Sequence, residues 1–234
     1  FLSSPIIRNI VGQPNSALDL RFVMDRQKIV IINLSKGKIG EDTANLLGSL
    51  LITQFQLDAM SRASVPEAHR ADFYLYIDEF QNFATDAFLS ILSEARKYRL
   101  NLTLAHQFIA QMPENLQYAI FGNVGTLISF QVGFDDAQNL TSQFYGLASR
   151  NSQQSNEVLP NDFVTLKKHN AYAKLSINGT PSQTFSFCTF PPPSRVEDPS
   201  RPEKIIKLSR ERYAVKRNKV EERIQRWSDG RKKQ

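Results

Sequence analysis

Four short apolar runs limit what this chain can fold into. Residues 28–34 (KIVIINL), 73–77 (FYLYI), 100–105 (LNLTLA) and 123–130 (NVGTLISF) are separated by segments that can form helices. Continuous apolar runs of this length predict strands covered on both faces. The segments between them carry helical spacing. Ala44, Leu47, Leu51, Phe55, Asp58 and Arg62 mark a helix over 41–64, and Phe88, Leu89, Leu92 and Ala95 mark another over 83–98. Shorter helices are predicted over 114–121, 135–145 and 160–166, with a Ser/Asn/Gln-rich loop at 146–157. Strands alternating with helices at this interval predict an α/β fold, a mostly parallel sheet flanked by helices. Two later runs, 171–177 and 183–190, face each other across Asn178-Gly179, a pair that favours a tight hairpin turn.

Pro191, Pro192 and Pro193 make a stiff spacer. The expected organisation is therefore one domain over 1–190, then a Pro-rich spacer and a charged tail over 191–234, helical from 202 to 227. The formal charge of +6 belongs to that tail, where residues 195–234 hold 14 Lys/Arg against 7 Asp/Glu. A hydrophobic content of 41% is enough for a buried core. No apolar run reaches the roughly 18–20 residues that cross a bilayer, and no basic leader opens the chain. The expected setting is the cytoplasm. The single cysteine, Cys188, excludes an internal disulfide and reads as a small core residue. His69, His106 and His169 are too far apart in sequence for a metal-ligand motif.

The strongest chemical signal is Phe73-Tyr74-Leu75-Tyr76-Ile77-Asp78-Glu79-Phe80. Two acids at the carboxyl end of an apolar strand emerge where the sheet of an α/β protein meets its ligand. Nucleotide-hydrolysing enzymes place there an aspartate that holds magnesium through water and a glutamate that polarises the attacking water. The plainer reading is a strand that ends in acids for solubility or helix capping. Downstream, residues 102–105 deliver His106 and Gln107 to the same expected edge, and Gln107 could sense a γ-phosphate there. His106 reads as a packing or hydrogen-bonding residue. Between these elements lies Glu94-Ala95-Arg96-Lys97-Tyr98-Arg99. It is either a solvated helix end or the source of an arginine that reaches a neighbour's phosphates. Ser35-Lys36-Gly37-Lys38-Ile39-Gly40 lacks the first glycine and the hydroxyl of a phosphate-cradling loop.

Taken in order, these pieces resemble a known family. Residues 29–40, 73–83, Ser93 to Tyr98, Leu104-Ala105-His106-Gln107 and Gly122-Asn123-Val124-Gly125-Thr126 are similar to the second half of the motor domain of TraG/TraD-like ATPases. These are the coupling ATPases of conjugation and type IV secretion, within the FtsK–HerA superfamily. The resemblance implies a partial RecA-like P-loop fold and a parent that binds ATP and magnesium. It implies Asp78 as the magnesium-linked acid, Glu79 as the water-activating acid and Gln107 as the link between nucleotide state and substrate strand. Arg96 is implied as the inter-subunit arginine, with Arg99 as fallback. The implied partners are DNA, further copies in a hexameric ring, and other secretion components. A membrane is implied only through parts of a parent that are not in this sequence.

The chain departs from the family pattern in one respect. The phosphate-binding loop lies upstream of the matching segment, and the chain does not open with methionine. This piece is therefore expected to be inactive alone and to belong to a longer ATPase. Two alternatives stay open: a secretion or pilus-assembly ATPase that does not bind DNA, and a catalytically dead ATPase fold used for recognition. The basic tail can be read as a phosphate grip or as a solvated helix.

Overall fold

A computed structural model describes residues 4–84, 86–145, 158–194 and 198–231, so the loop expected at 146–157 lies outside the described residues. In chain order the elements begin with helices α1 (Pro5–Val11), α2 (Leu20–Asp25), α3 (Lys36–Ile39) and α4 (Glu41–Ser61). Strand β1 (Phe73–Ile77), helix α5 (Asp86–Glu94), strand β2 (Leu100–Leu104), helix α6 (Glu114–Asn123) and strand β3 (Leu127–Ser129) follow. Helices α7 (Phe134–Tyr145) and α8 (Pro160–Val164) then lead to strands β4 (Asn170–Lys174), β5 (Ser176–Ile177), β6 (Thr180–Pro181) and β7 (Phe185–Cys188). Helices α9 (Arg201–Tyr213) and α10 (Arg217–Arg231) come last. The described residues of Phe1–Leu75, Glu94–Leu102 and Arg195–Gln234 form one compact unit, and those of Tyr76–Ser93 and Thr103–Ser194 form a second.

The first unit is built on α4. Gly40 precedes it at φ +83°, a conformation glycine adopts without a side-chain clash. Glu41 and Asp42 then place negative charge at the positive end of the helix dipole. Ala44, Leu47, Ile52, Phe55 and Ala59 are buried along the helix. Helix α2 packs on α4, burying Leu20, Val23 and Met24; its first turn is capped by Asp19, which accepts from the Phe22 N–H at 2.8 Å. The Phe73 ring stacks on Phe55 with centroids 6.0 Å apart. Arg62, 0% exposed, donates to Asp25 Oδ1 (3.0 Å), the Tyr98 carbonyl (2.7 Å) and the Ala71 carbonyl. One guanidinium thereby ties α2 to the chain entering β1 and the chain entering β2. Helix α10 packs on α1, with Val220 buried and Asn9 donating to Glu221 Oε1 at 3.1 Å. Helix α9 buries none of its residues.

In the second unit, β3, β4 and β7 form an antiparallel sheet. Phe163, fully buried, meets Phe144 of α7 (5.3 Å between centroids) and Tyr172 of β4 (5.1 Å). Strands β5 and β6 pair across Asn178 (φ +52°) and Gly179 (φ +80°), the two left-handed residues of a tight hairpin. The predicted hairpin forms there, extended by the pairing of β4 with β7.

Several sequence expectations need correction. Residues 28–34 form no strand: Ile29 is 93% exposed and Ile31 87%. Apolar, β-branched composition gives the propensity, but a strand also needs a partner ladder. Strand β1 forms where expected yet is covered on one face only, with Tyr74 and Tyr76 exposed. The run 123–130 contributes only Leu127–Ser129, because Asn123 ends α6. That short strand joins the antiparallel sheet, pairing Leu127 with Lys174, and is not hydrogen-bonded to β1 or β2. The only parallel pair among the described strands is β1–β2, so the sheet is not mostly parallel. Cys188 is exposed rather than core. The helix expected over 83–98 is α5 followed by a separate 3-10 turn, Ala95–Tyr98. The tail is helical as expected, in two pieces.

Candidate functional site

Strands β1 and β2 run parallel. At their start the Phe73 N–H donates to the Arg99 carbonyl (2.9 Å), and at their end the Ala105 N–H donates to the Ile77 carbonyl (2.9 Å). Both carboxyl ends therefore stop at one level, and the residues leaving them meet. Asp78 and Glu79 leave β1; His106 and Gln107 leave β2.

Glu79 occupies a left-handed conformation (φ +50°, ψ +42°). For a residue with a side chain this costs about 1–2 kcal/mol, and such strain gathers at functional sites. The conformation is held from several directions. The Phe80 N–H donates to the Ala105 carbonyl (3.2 Å), and the N–H and side-chain amide of Asn82 both donate to the Glu79 carbonyl at 3.0 Å. The buried Phe80 ring stacks on Phe88 at 5.8 Å.

Both carboxylate oxygens of Glu79 accept amide hydrogens. Gln107 Nε2 donates to Oε1, and Gln81 Nε2 donates to Oε2 at 2.6 Å. Asp78 is exposed, and its Oδ1 accepts the Glu79 N–H at 3.0 Å. His106 packs edge-on against Phe80, centroids 5.4 Å apart. Burial lowers its pKa from the ordinary histidine value, outweighing the Asp136 and Glu79 carboxylates that pull the other way. A half-buried ring with a lowered pKa is neutral near pH 7 and serves packing, as its sequence context suggested.

The loop after β2 is fastened at both ends. The buried Asp136 carboxylate of α7 accepts the Ile109 N–H at 3.2 Å, and Gln117 of α6 donates to the Ile109 and Met112 carbonyls at 3.2 and 2.8 Å. Gln107 therefore rests on a fixed base.

Arg96 belongs to a different unit. It is exposed on the 3-10 turn Ala95–Tyr98, which belongs to the first unit, whereas Asp78, Glu79 and Gln107 belong to the second. Arg62 and Arg70 fasten that turn through the Tyr98 and Lys97 carbonyls, and the Arg70 guanidinium lies 5.8 Å from the Tyr98 ring centre. Among the described residues Arg96 makes no ion pair, while Arg99 lies 3.6 Å from Asp72. Three of the four sequence-predicted residues, Asp78, Glu79 and Gln107, thus come together within the second unit. Sequence reasoning missed Gln81, whose only local sign was its place two residues after Glu79. No group of three or more His, Cys, Asp or Glu side chains gathers as a metal cage among the described residues, and no described helix is long and apolar enough to cross a membrane.

The fold and site define a mixed α/β protein whose parallel strand pair presents two acids and a glutamine at one edge. Residues 72–173 match the family described as the TraM recognition site of TraD and TraG, and the chain is TraG/TraD-like over that stretch. Among solved structures, the trigonal form of the bacterial conjugative coupling protein TrwBdeltaN70, in complex with sulphate, is similar with a TM-score of 0.54. Identity is 15%, over 76% of this chain and 44% of that one. The unbound monoclinic form gives 0.48 at 15% identity, covering 64% and 39%. The plasmid coupling protein TrwB in complex with the non-hydrolysable ATP analogue ADPNP gives 0.47 at 17%, covering 63% and 38%. The chain thus spans about two fifths of the length of the coupling-protein structures it matches. No curated protein matches it.

Proposed function

We propose that this chain supplies the carboxylate-bearing part of an ATP-hydrolysing site in a ring-forming DNA translocase of the conjugative coupling kind. The observation that carries the reading is the hydrogen bond from Gln107 to Glu79 across the carboxyl ends of β1 and β2, inside the TraG/TraD-like stretch. Glu79 would accept the proton of the attacking water as its oxygen bonds to the γ-phosphorus and the bond to the bridging oxygen of ADP breaks. Gln107, bonded directly to that carboxylate, would report on its engagement. Magnesium beside a nucleotide keeps waters and phosphate oxygens and takes only one or two protein carboxylates. A single exposed acid such as Asp78 fits that need. Bound there, the ion would supply charge neutralisation at the phosphates. Arg96 would serve a neighbouring subunit, which accords with its exposure. DNA, further copies in a hexameric ring and other secretion components are the partners this reading implies, on the cytoplasmic side.

The test is made in the intact parent that the reading requires. Glu79→Gln removes most ATP turnover, by about 100-fold or more, while nucleotide affinity stays within about twofold, because the carboxylate acts on the water and not on the bound ground state. Unchanged turnover would remove Glu79 from the mechanism. A second reading is favoured by the family description itself, which names a TraM recognition site over 72–173. In that reading the stretch is a docking surface for a partner protein, and capture of that partner survives in the Glu79→Gln protein.

A further inference from the structure

Gln81 sits on the same 3-10 turn that Glu79 opens, and its Nε2 holds Glu79 Oε2 at 2.6 Å. Gln107 holds the other oxygen, Oε1. The two amides differ in what they are attached to. Gln81 is two residues from Glu79, on a turn fastened by the Asn82 bonds to the Glu79 carbonyl and by the Phe83 N–H to the Phe80 carbonyl at 2.9 Å. It moves with Glu79. Gln107 is exposed and belongs to the loop beyond the neighbouring strand, so a ligand that engages its amide can draw that side chain from the carboxylate without moving Glu79.

We propose that Gln81 is a positioning residue: it keeps Glu79 Oε2 occupied and leaves Oε1, the oxygen now bonded to Gln107, as the one that turns to the attacking water. This rests on the reading of Glu79 as the water-polarising acid. The last torsion of a glutamate side chain is broad and nearly two-fold. A carboxylate tethered at neither oxygen therefore spends much of its time facing away from the water. Small misplacements of a catalytic group cost up to about 100-fold in rate. A purely structural role for the Gln81 amide is poorly supported, because its Oε1 is buried without a hydrogen-bond partner among the described residues. An apolar side chain of the same length would lose one bond and shed one unsatisfied acceptor, with little net effect on folding.

The experiment compares Gln81→Met, Gln81→Glu, Glu79→Gln and the Gln81→Met/Glu79→Gln double variant in the ATP-hydrolysing parent, with thermal midpoints recorded for each. Gln81→Met is expected to lower kcat about tenfold, leave the KM for ATP within about twofold and leave the midpoint close to wild type. Gln81→Glu keeps the size but has no N–H to offer, so its kcat falls at least as far. In the Glu79→Gln background, Gln81→Met adds no further loss, since the residue acts only through Glu79. Wild-type kcat in Gln81→Met overturns the proposal. So does a kcat loss that appears only together with a collapsed midpoint in both Gln81 variants, or one that persists in full in the double variant. If instead Glu79→Gln alone retains turnover, the assignment of the acid has failed and this inference falls with it.

Discussion

Arg62 and Glu79 illustrate which single residues a sequence reveals. Asp78 and Glu79 are legible because everything that places them is local: an apolar strand and the two residues that follow it. Arg62 reads only as the next polar position on a helix. Its significance depends on the Ala71 carbonyl, nine residues on, the Tyr98 carbonyl, 36 residues on, and Asp25, 37 residues back. Gln81 was equally invisible, since a glutamine in a turn has no distinctive pattern until its carboxylate partner is seen. The Arg62 arrangement has a measurable consequence. Asp25 is 40% exposed and retains Arg21 at 2.5 Å, so removing Arg62 does not strand that charge. The two carbonyls are what lose their donor. Each orphaned buried acceptor costs about 1–3 kcal/mol, so Arg62→Ala should destabilise the chain by about 3 kcal/mol in urea unfolding. Arg62→Lys, with one compact donor group in place of the planar fork, should recover only part of that. A midpoint for Arg62→Ala equal to wild type would show the guanidinium to be incidental.

Elements were more legible than their pairing. The helices expected over 41–64, 114–121 and 135–145 form as α4, α6 and α7 to within a few residues, because the signals that start and stop a helix lie close together in sequence. The hairpin was equally readable, since Asn178-Gly179 specifies a turn by its own backbone preferences. Strand partners are a different matter. Nothing within 123–130 shows that Leu127–Ser129 joins β4, whose small buried Ala171 and Ala173 come more than 40 residues later. The alternation of strands and helices suggested a parallel neighbour, and the antiparallel one won. The turn itself can be tested. Gly179 has φ +80° and open space where a side chain would begin, so a methyl group meets no neighbour there and only the backbone conformation is penalised. Gly179→Ala should therefore cost about 1 kcal/mol, while Gly122→Ala, within α6 and equally open, should be neutral or stabilising. Equal effects at the two glycines would mean that the left-handed turn contributes nothing.

For the molecule as a whole, composition gives a segment its propensity but not the neighbour that would complete it. Residues 28–34 have strand composition, yet Ile29 and Ile31 face solvent, and Tyr74 and Tyr76 do the same on one face of β1. The chain spans 44% of the coupling-protein structure it resembles in fold, and composition cannot say which contacts the remainder of such a protein would make. Arg96 poses the same question for function. It is exposed on a turn fastened by Arg62 and Arg70, and it lies in the unit that does not contain Glu79. An exposed guanidinium on a fastened turn suits a phosphate-bearing partner, since its planar donors match phosphate oxygens and keep their charge at any working pH. If Arg96 acts across a subunit boundary, each site combines the Glu79 of one copy with the Arg96 of the next. Parent proteins carrying Arg96→Ala and Glu79→Gln are then inactive separately. Mixed in one ring, they form some interfaces in which an intact Glu79 meets an intact Arg96, and ATPase activity returns. With random assembly of equal amounts, about one interface in four is whole, so recovery approaches a quarter of wild-type turnover where sites act independently. If Arg96 serves its own copy, every site in the mixture keeps one defect and nothing returns. Absence of recovery in rings shown to exchange subunits would reduce Arg96 to a solvated residue at the end of its turn.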